Sequence, residues 1–206
     1  MTHLILASKS PRRKKLMQQL GLTFTVQNSH VKENDPTESD TDPVTFVQNL
    51  AAQKAERVAG RSSNAVIVAA DTSVILKGQI LGKPENALHA GHLLRQMSGQ
   101  THRVITGVCL LRTNGTSGVI DKVRFHEQTK VTFATLANEE IDAYVATGSP
   151  MDKAGAYGIQ DDWGAVFVSR IEGDYYNVVG FPLHKFYQHI KEFAPELLTD
   201  TPLAIQ

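Results

Sequence analysis

Cysteine is nearly absent from this chain. Cys109 stands alone, so no internal disulfide can form, and its place in the apolar run Val108 to Leu111 marks it as a buried, reduced thiol of a cytoplasmic protein. Charge of one sign is not in excess either: Lys plus Arg and Asp plus Glu are 21 each. No global field recruits nucleic acid or a membrane surface, so any anion site has to be local. No apolar run approaches the ~18 residues that would cross a bilayer. The opening Leu4 to Ala7 is too short for a secretory signal, and its basic residues follow the apolar stretch instead of preceding it. Familiar catalytic signatures are missing as well. Gly82-Lys83 runs into Pro84, which spoils a phosphate loop, and there is no HExxH, G-x-S-x-G or paired Cys/His spacing. His89 and His92 lie three apart on one helical pattern, but a third ligand is not visible. Repeats, linkers and low-complexity segments are also lacking. Residues 1–206 therefore read as a single domain, one compact unit with a cleft and no separable linker.

What the chain does have begins at its start. The strand pattern Leu4 to Ala7 leads into Ser8-Lys9-Ser10-Pro11-Arg12-Arg13-Lys14-Lys15 and a helix to Leu20. Ser10 can cap that helix and Pro11 suits its first position. Four cations in the first turn oppose the helix dipole, and a bound phosphate would remove the conflict. A solvated basic face is the alternative.

Further along, Thr23 to Gln27 reads as a strand and Asn28 to Asp42 as a polar loop. Asp42-Pro43 opens a helix whose Val44, Val47, Leu50, Ala51 and Val58 recur at helical spacing until Gly60, with Lys54 close to that face. Ala65 to Ala70 is apolar throughout, as in a strand covered on both sides, and is expected to end at Asp71-Thr72. Ser73–Leu76 and Gln79–Leu81 form a hairpin around Lys77-Gly78. Asn86 caps a helix with an Ala90, Leu93, Leu94, Met97 stripe. Thr101–Arg112 and Val119–Phe133 form a β-ribbon through Asn114-Gly115. A helix over Glu139–Ala146, a strand over Ala165–Ile171 and an amphipathic helix over Pro182–Phe193 complete the pattern, with a frayed tail after Pro195. Interleaved helices and strands predict an α/β fold, a mixed twisted sheet flanked by helices.

A carboxylate at the end of a buried strand is rigidly held yet reaches a cleft, which makes Asp71 the first catalytic candidate beside the plainer reading of an Asx turn. Lys83 lies in a loop between hairpin and helix. The stretch Asp152-Lys153-Ala154-Gly155-Ala156-Tyr157-Gly158-Ile159-Gln160 combines a charged pair, glycines and a primary amide. Its alternation at Tyr157 and Ile159 is strand-like and would present Gln160 to a pocket. Trp163 offers a stacking surface, though a packed loop tryptophan is the commoner case.

Several ordered blocks resemble the Maf family of nucleoside triphosphate pyrophosphatases. They are Ser8-x-Ser10-Pro11-Arg12-Arg13, Lys54-Ala55, Ala70-Asp71-Thr72, Leu81-Gly82-Lys83-Pro84, Leu94-x-x-Met97-Ser98-Gly99-x-Thr101-His102-x-Val104, Asp152 to Gln160 and Val178 to Leu183. The resemblance implies a two-lobed fold around a central nucleotide cleft, shared with inosine triphosphate pyrophosphatases. It implies hydrolysis of a nucleoside triphosphate to monophosphate and pyrophosphate with a divalent metal, Mg²⁺ or Mn²⁺. Asp71 would be the proton acceptor or a metal ligand, with Glu33 a second metal ligand. Ser8, Ser10, Arg12, Arg13, Lys54, Lys83 and Lys153 would bind the substrate. Arg12, Thr72 and Gln160 would set specificity, and the Gly158-Ile159-Gln160 ending is similar to the dTTP/UTP branch. A primary amide matches N3–H and the adjacent carbonyl of uracil or thymine, and when rotated it also matches cytosine. Lys15 and Lys32 depart from the family pattern, each standing where an acid is usual. A nucleotide-pool cleaning role and a homodimer are implied too. The alternatives are a 7-methyl-GTP pyrophosphatase and a non-catalytic nucleotide-binding regulator of septum formation.

Overall fold

The computed structural model describes residues 2–31 and 42–198. Seven strands form one mixed sheet: β1 (His3–Leu6), β2 (Thr25–Val26), β3 (Ala65–Leu76), β4 (Gln79–Leu81), β5 (Thr101–Thr113), β6 (Val119–Phe133) and β7 (Val168–Glu172). Their order is β2-β1-β3-β5-β6-β7, with β4 paired to β3. β1 runs parallel to both β2 and β3, and every other pairing is antiparallel. The helices are α1 (Pro11–Gln19), α2 (Pro43–Ala59), α3 (Ala87–Met97), α4 (Asn138–Ala146), α5 (Asp162–Val166), α6 (Tyr175–Val179) and α7 (Leu183–Phe193).

Alternation along β3 divides the core. Val66, Val68, Ala70 and Val74 join Leu16 and Met17 of α1, Leu93 and Leu94 of α3, and Phe186 and Ile190 of α7 in one cluster. Ala65, Ile67 and Ala69 face the other way and pack with Ala51, Ala55 and Val58 of α2. A strand covered on both faces is apolar at every position, as the run Ala65 to Ala70 is.

Helix α2 follows from its sequence. Asp42 accepts from the Thr45 amide at 3.1 Å, Pro43 occupies the first turn, and Gly60 terminates the helix. Its apolar stripe lies on the sheet at Gly107. A Cβ there would come within 2.5 Å of the Val47 carbonyl carbon, so only glycine lets the α2 backbone approach this closely.

Four expectations are corrected. β3 does not stop at Asp71; it continues unbroken to Leu76, with Asp71 opposite Gly107 and Thr72 opposite Thr106 on β5. Residues Ala165 and Val166 end helix α5, and the strand begins at Val168; Phe167 is sunk in the core, which turns the chain away from the sheet edge until that point. Tyr157 to Gln160 is irregular instead of strand-like, following a left-handed Gly155 (φ 67°). Pro195–Leu197 is not frayed but forms a 3-10 turn, pinned by Arg112 donating to Glu196 at 2.6 Å and to the Phe193 carbonyl at 2.5 Å. Residues 32–41 and 199–206, with Lys32 and Glu33, lie outside the described residues.

Candidate active site

The site begins with a gap in hydrogen bonding along β3. On one edge β1 pairs with it only as far as Val68, where the Ala7 amide makes the last bond at 2.8 Å. β4 takes up the same strand again at Val74. Between them, among the described residues, Ala69 to Ser73 have no strand neighbour on that side, and Asp71, Thr72 and Ser73 border a cleft of about 1480 Å³. Such openings beside a parallel pair are where α/β sheets place ligands.

Asp71 and Thr72 occupy this gap and, by the strand's two-residue period, point to opposite faces. Asp71 turns toward α2. There Lys54, two turns beyond Val47 on the buried stripe, donates to Oδ1 at 2.6 Å, and both side chains are at least nine-tenths buried. The second carboxylate oxygen has no hydrogen bond among the described residues. Thr72 turns toward α1, where its hydroxyl accepts from the Arg13 guanidinium at 3.0 Å and meets Thr106 Oγ1 at 2.9 Å. Arg13 also donates to the carbonyl of Gly180, at 2.9 Å. Gly180 closes α6 in the left-handed region (φ 117°), which aims that carbonyl back at α1.

The start of α1 forms as its residues require: Ser10 Oγ accepts from the Arg13 amide at 3.4 Å, and Ser8 Oγ accepts from the Ser10 amide at 3.1 Å. Of the four cations in the first turns, Arg12 and Arg13 line the cleft, whereas Lys14 and Lys15 are exposed and stand outside it. Arg12 reaches Asp152 at 2.8 Å, so part of the conflict with the helix dipole is answered within the protein. Lys83 lines the cleft from the loop after β4. That loop is fixed by the Gly155 amide donating to the Gly82 carbonyl at 3.0 Å, with Gly155 pressed on Val74 where a Cβ would clash.

Lys153 is almost fully buried and anchors the far wall. It donates to the Ser149 carbonyl at 2.5 Å and pairs with Asp152 at 2.8 Å and Asp161 at 2.9 Å. Burial alone would lower its proton affinity; the two carboxylates outweigh that and hold the ammonium above the usual lysine value. Asp152 shifts the opposite way: partial burial raises it, but hydrogen bonds from Lys153 and Arg12 leave it below the usual carboxylate range. Gln160 lines the cleft beside this group and donates through Nε2 to Asp161 Oδ1 at 2.8 Å.

Ser8, Ser10, Arg12, Arg13, Lys54, Asp71, Thr72, Lys83, Lys153 and Gln160 therefore border one cavity although up to 152 positions separate them. Glu33 lies outside the described residues. Trp163 does not border the cavity; it is half-exposed on α5. Among the described residues no cluster of three His, Cys, Asp or Glu side chains is arranged to hold a metal, and His89 and His92 gain no third ligand. The sequence reading passed over Asp161, Thr106 and Asn177. Asn177 is buried and donates to the Val104 carbonyl and to Thr129 Oγ1, each at 3.0 Å. The one signal for Asp161 was its position next to Gln160.

Fold and site together define an α/β protein whose interrupted sheet opens on a cation-lined cleft, with the lysine-paired carboxylate of Asp71 set in the gap of the sheet. The chain matches the family model described as "Maf-like protein" over residues 3–193. A dTTP/UTP pyrophosphatase of Bacillus pumilus is 45% identical over 194 residues, covering 94% of this chain and 98% of the relative. Another of the same name from Symbiobacterium thermophilum is 44% identical over 199 residues, covering 97% and 98%. In fold, the chain resembles a HAM1 protein from Coxiella burnetii with a TM-score of 0.51 at 14% identity, covering 93% of this chain and 100% of that one. This chain belongs to the Maf family.

Proposed function

We propose that this protein hydrolyses pyrimidine nucleoside triphosphates, dTTP and UTP among them, to the monophosphate and pyrophosphate. The observation that carries the reading is Asp71, held by Lys54 at 2.6 Å in the gap of the sheet, within the same cleft as Arg12, Arg13, Lys83 and Lys153. The relatives named dTTP/UTP pyrophosphatase support the substrate class.

Phosphoryl chemistry asks a protein mainly for positioning and charge stabilisation. Lys54 fixes one oxygen of Asp71, so the other has a defined direction into the cleft. It accepts the proton of a water attacking the α-phosphorus. Arg12, Arg13 and Lys83 spread along the triphosphate and offset the charge growing on the departing pyrophosphate. Ser8 and Ser10 shape the first turn of α1, where backbone amides face the anion. Gln160, at the other end, meets the base.

A divalent cation would be held jointly by protein and substrate; of the two ligands that the family resemblance implies, Asp71 borders the cleft and Glu33 lies outside the described residues. Mg²⁺ commonly takes one or two carboxylates plus phosphate oxygens, and Asp71 with Glu33 would hold it that way. When bound, such an ion supplies charge neutralisation at the phosphates. In the cytoplasm this activity would clear unwanted pyrimidine nucleotides from the pool.

The test is product identification by anion-exchange chromatography, with purified protein, Mg²⁺ and separate dTTP, UTP and 7-methyl-GTP. dTMP or UMP with pyrophosphate is expected. UDP with orthophosphate refutes the bond assignment, preference for 7-methyl-GTP refutes the base assignment, and tight binding without hydrolysis refutes the enzyme reading.

A further inference from the structure

Five side chains form one unbroken chain of contacts from the phosphate end of the cleft to Gln160. Arg12 pairs with one oxygen of Asp152 and Lys153 with the other, both at 2.8 Å. Lys153 then pairs with Asp161 Oδ2 at 2.9 Å, and Asp161 Oδ1 receives the Gln160 amide at 2.8 Å. The arrangement needs room that only one residue type provides. A Cβ on Gly158 would fall 2.5 Å from Asp161 Oδ2 and 2.7 Å from Lys153 Cε, so Gly158 is where the carboxylate folds back onto the lysine. The Asp161 amide donates to the Gly158 carbonyl at 3.1 Å and fixes the turn that brings it there.

We infer that Asp161 is a positioning residue for base selection, which locks the polarity of the Gln160 amide so that the site favours a pyrimidine bearing N3–H and disfavours cytosine. This rests on the reading that Gln160 meets the base.

The chemistry is that of donors and acceptors. An ionised carboxylate only accepts, so it can face the nitrogen of the amide and never its oxygen. With Nε2 tied to Asp161, Oε1 is left as the acceptor, and it has no hydrogen-bond partner among the described residues. Uracil and thymine offer N3–H to that oxygen. Cytosine in the same register offers a lone pair at N3, and relieving the repulsion requires the amide to rotate and break its bond to Asp161. Gln160 by itself accommodates either base, as its two-faced amide allows; the carboxylate behind it removes the choice. Lys153, held at three points, keeps that carboxylate from following the amide.

The experiment measures kcat/KM for UTP and CTP with wild type, Asp161→Asn and Gln160→Ala. Asparagine keeps the size of the side chain but can present either end to Gln160, so the UTP:CTP ratio is expected to fall by about tenfold or more, mostly through a gain or retention of CTP activity. A structural role alone would lower both substrates together, and that result, or an unchanged ratio, overturns the inference. Gln160→Ala leaves the Asp161–Lys153 pair in place and is expected to lose the preference as well, whether or not Asp161→Asn folds; a wild-type ratio in that variant also overturns it. Wild type that hydrolyses UTP and CTP equally overturns the inference and leaves the pyrophosphatase reading standing. Wild type that hydrolyses neither removes both.

Discussion

Replacing Lys54 by Met strands the Asp71 carboxylate in a site where the lysine is its only hydrogen-bond partner among the described residues. The two side chains are 8% and 9% exposed and 2.6 Å apart, so neither charge is solvated in the way a surface pair is. Removing one member of a buried pair costs roughly 3–5 kcal/mol, because the remaining charge is left uncompensated. Against a total stability of about 5–15 kcal/mol this is a large fraction. Asp71→Leu should also cost stability, because the buried ammonium loses its carboxylate partner at 2.6 Å. The double variant removes both charges and fills the space with apolar groups, an exchange that is often neutral or stabilising. Its stability should therefore return to within about 1 kcal/mol of wild type, a coupling of several kcal/mol between the sites. Turnover should not return, because the double variant lacks the carboxylate proposed to receive the proton. Urea unfolding followed by circular dichroism reads the stability, and release of pyrophosphate from UTP reads the turnover. Single variants that each lose less than about 1 kcal/mol and add in the double would refute the buried-pair reasoning. A double variant with wild-type turnover would refute the role given to Asp71.

Gly107→Ala pushes a methyl group against the Val47 backbone, and since 2.5 Å cannot be relieved by a side-chain rotation, α2 has to move away. A loss of roughly 1–3 kcal/mol in stability and a drop in kcat from a displaced Lys54 are expected in melting and rate assays; no change in either refutes the close-approach argument. His102 is buried beside Tyr157, whose hydroxyl lies 2.8 Å from Nε2, and burial lowers its pKa from 6.5 to about 4. Between those values the unfolded chain binds the extra proton, so stability is fully present above pH 6.5 and is lost as pH falls toward 4, by roughly 3 kcal/mol in all. His102→Phe should flatten that part of the pH profile in urea titrations, and an unchanged slope refutes it.

Sequence periodicity revealed the elements whose signals are local. Ser10 before Pro11, Asp42 before Pro43 and the Val47, Leu50, Ala51, Val58 stripe all specify structure within one or two helical turns. The continuity of β3 through Asp71-Thr72-Ser73 was not legible in this way. Asp71 and Thr72 are satisfied by Lys54, Arg13 and Thr106, partners 17, 59 and 34 positions away that no window of neighbours contains. Helix α6 is short, and its local cue is Asp174, which caps the Tyr176 amide at 2.7 Å before Gly180 ends the segment. The α5 region misled because Ala165-Val166-Phe167-Val168 has strand propensity, while burial of Phe167 decides the geometry. At the site, motif resemblance grouped the residues that border the cleft. It did not reveal that Arg12 and Gln160 are joined through Asp152, Lys153 and Asp161, since that link depends on where the 152–161 loop folds.

The proposed placement of Asp71 beside the α-phosphorus, with cations gripping the rest of the triphosphate, is tested most directly by hydrolysing UTP in water enriched in oxygen-18 and reading both products by phosphorus NMR and mass spectrometry. The label should appear in UMP, with unlabelled pyrophosphate. Label in pyrophosphate, or release of orthophosphate in its place, would contradict attack at the α-phosphorus.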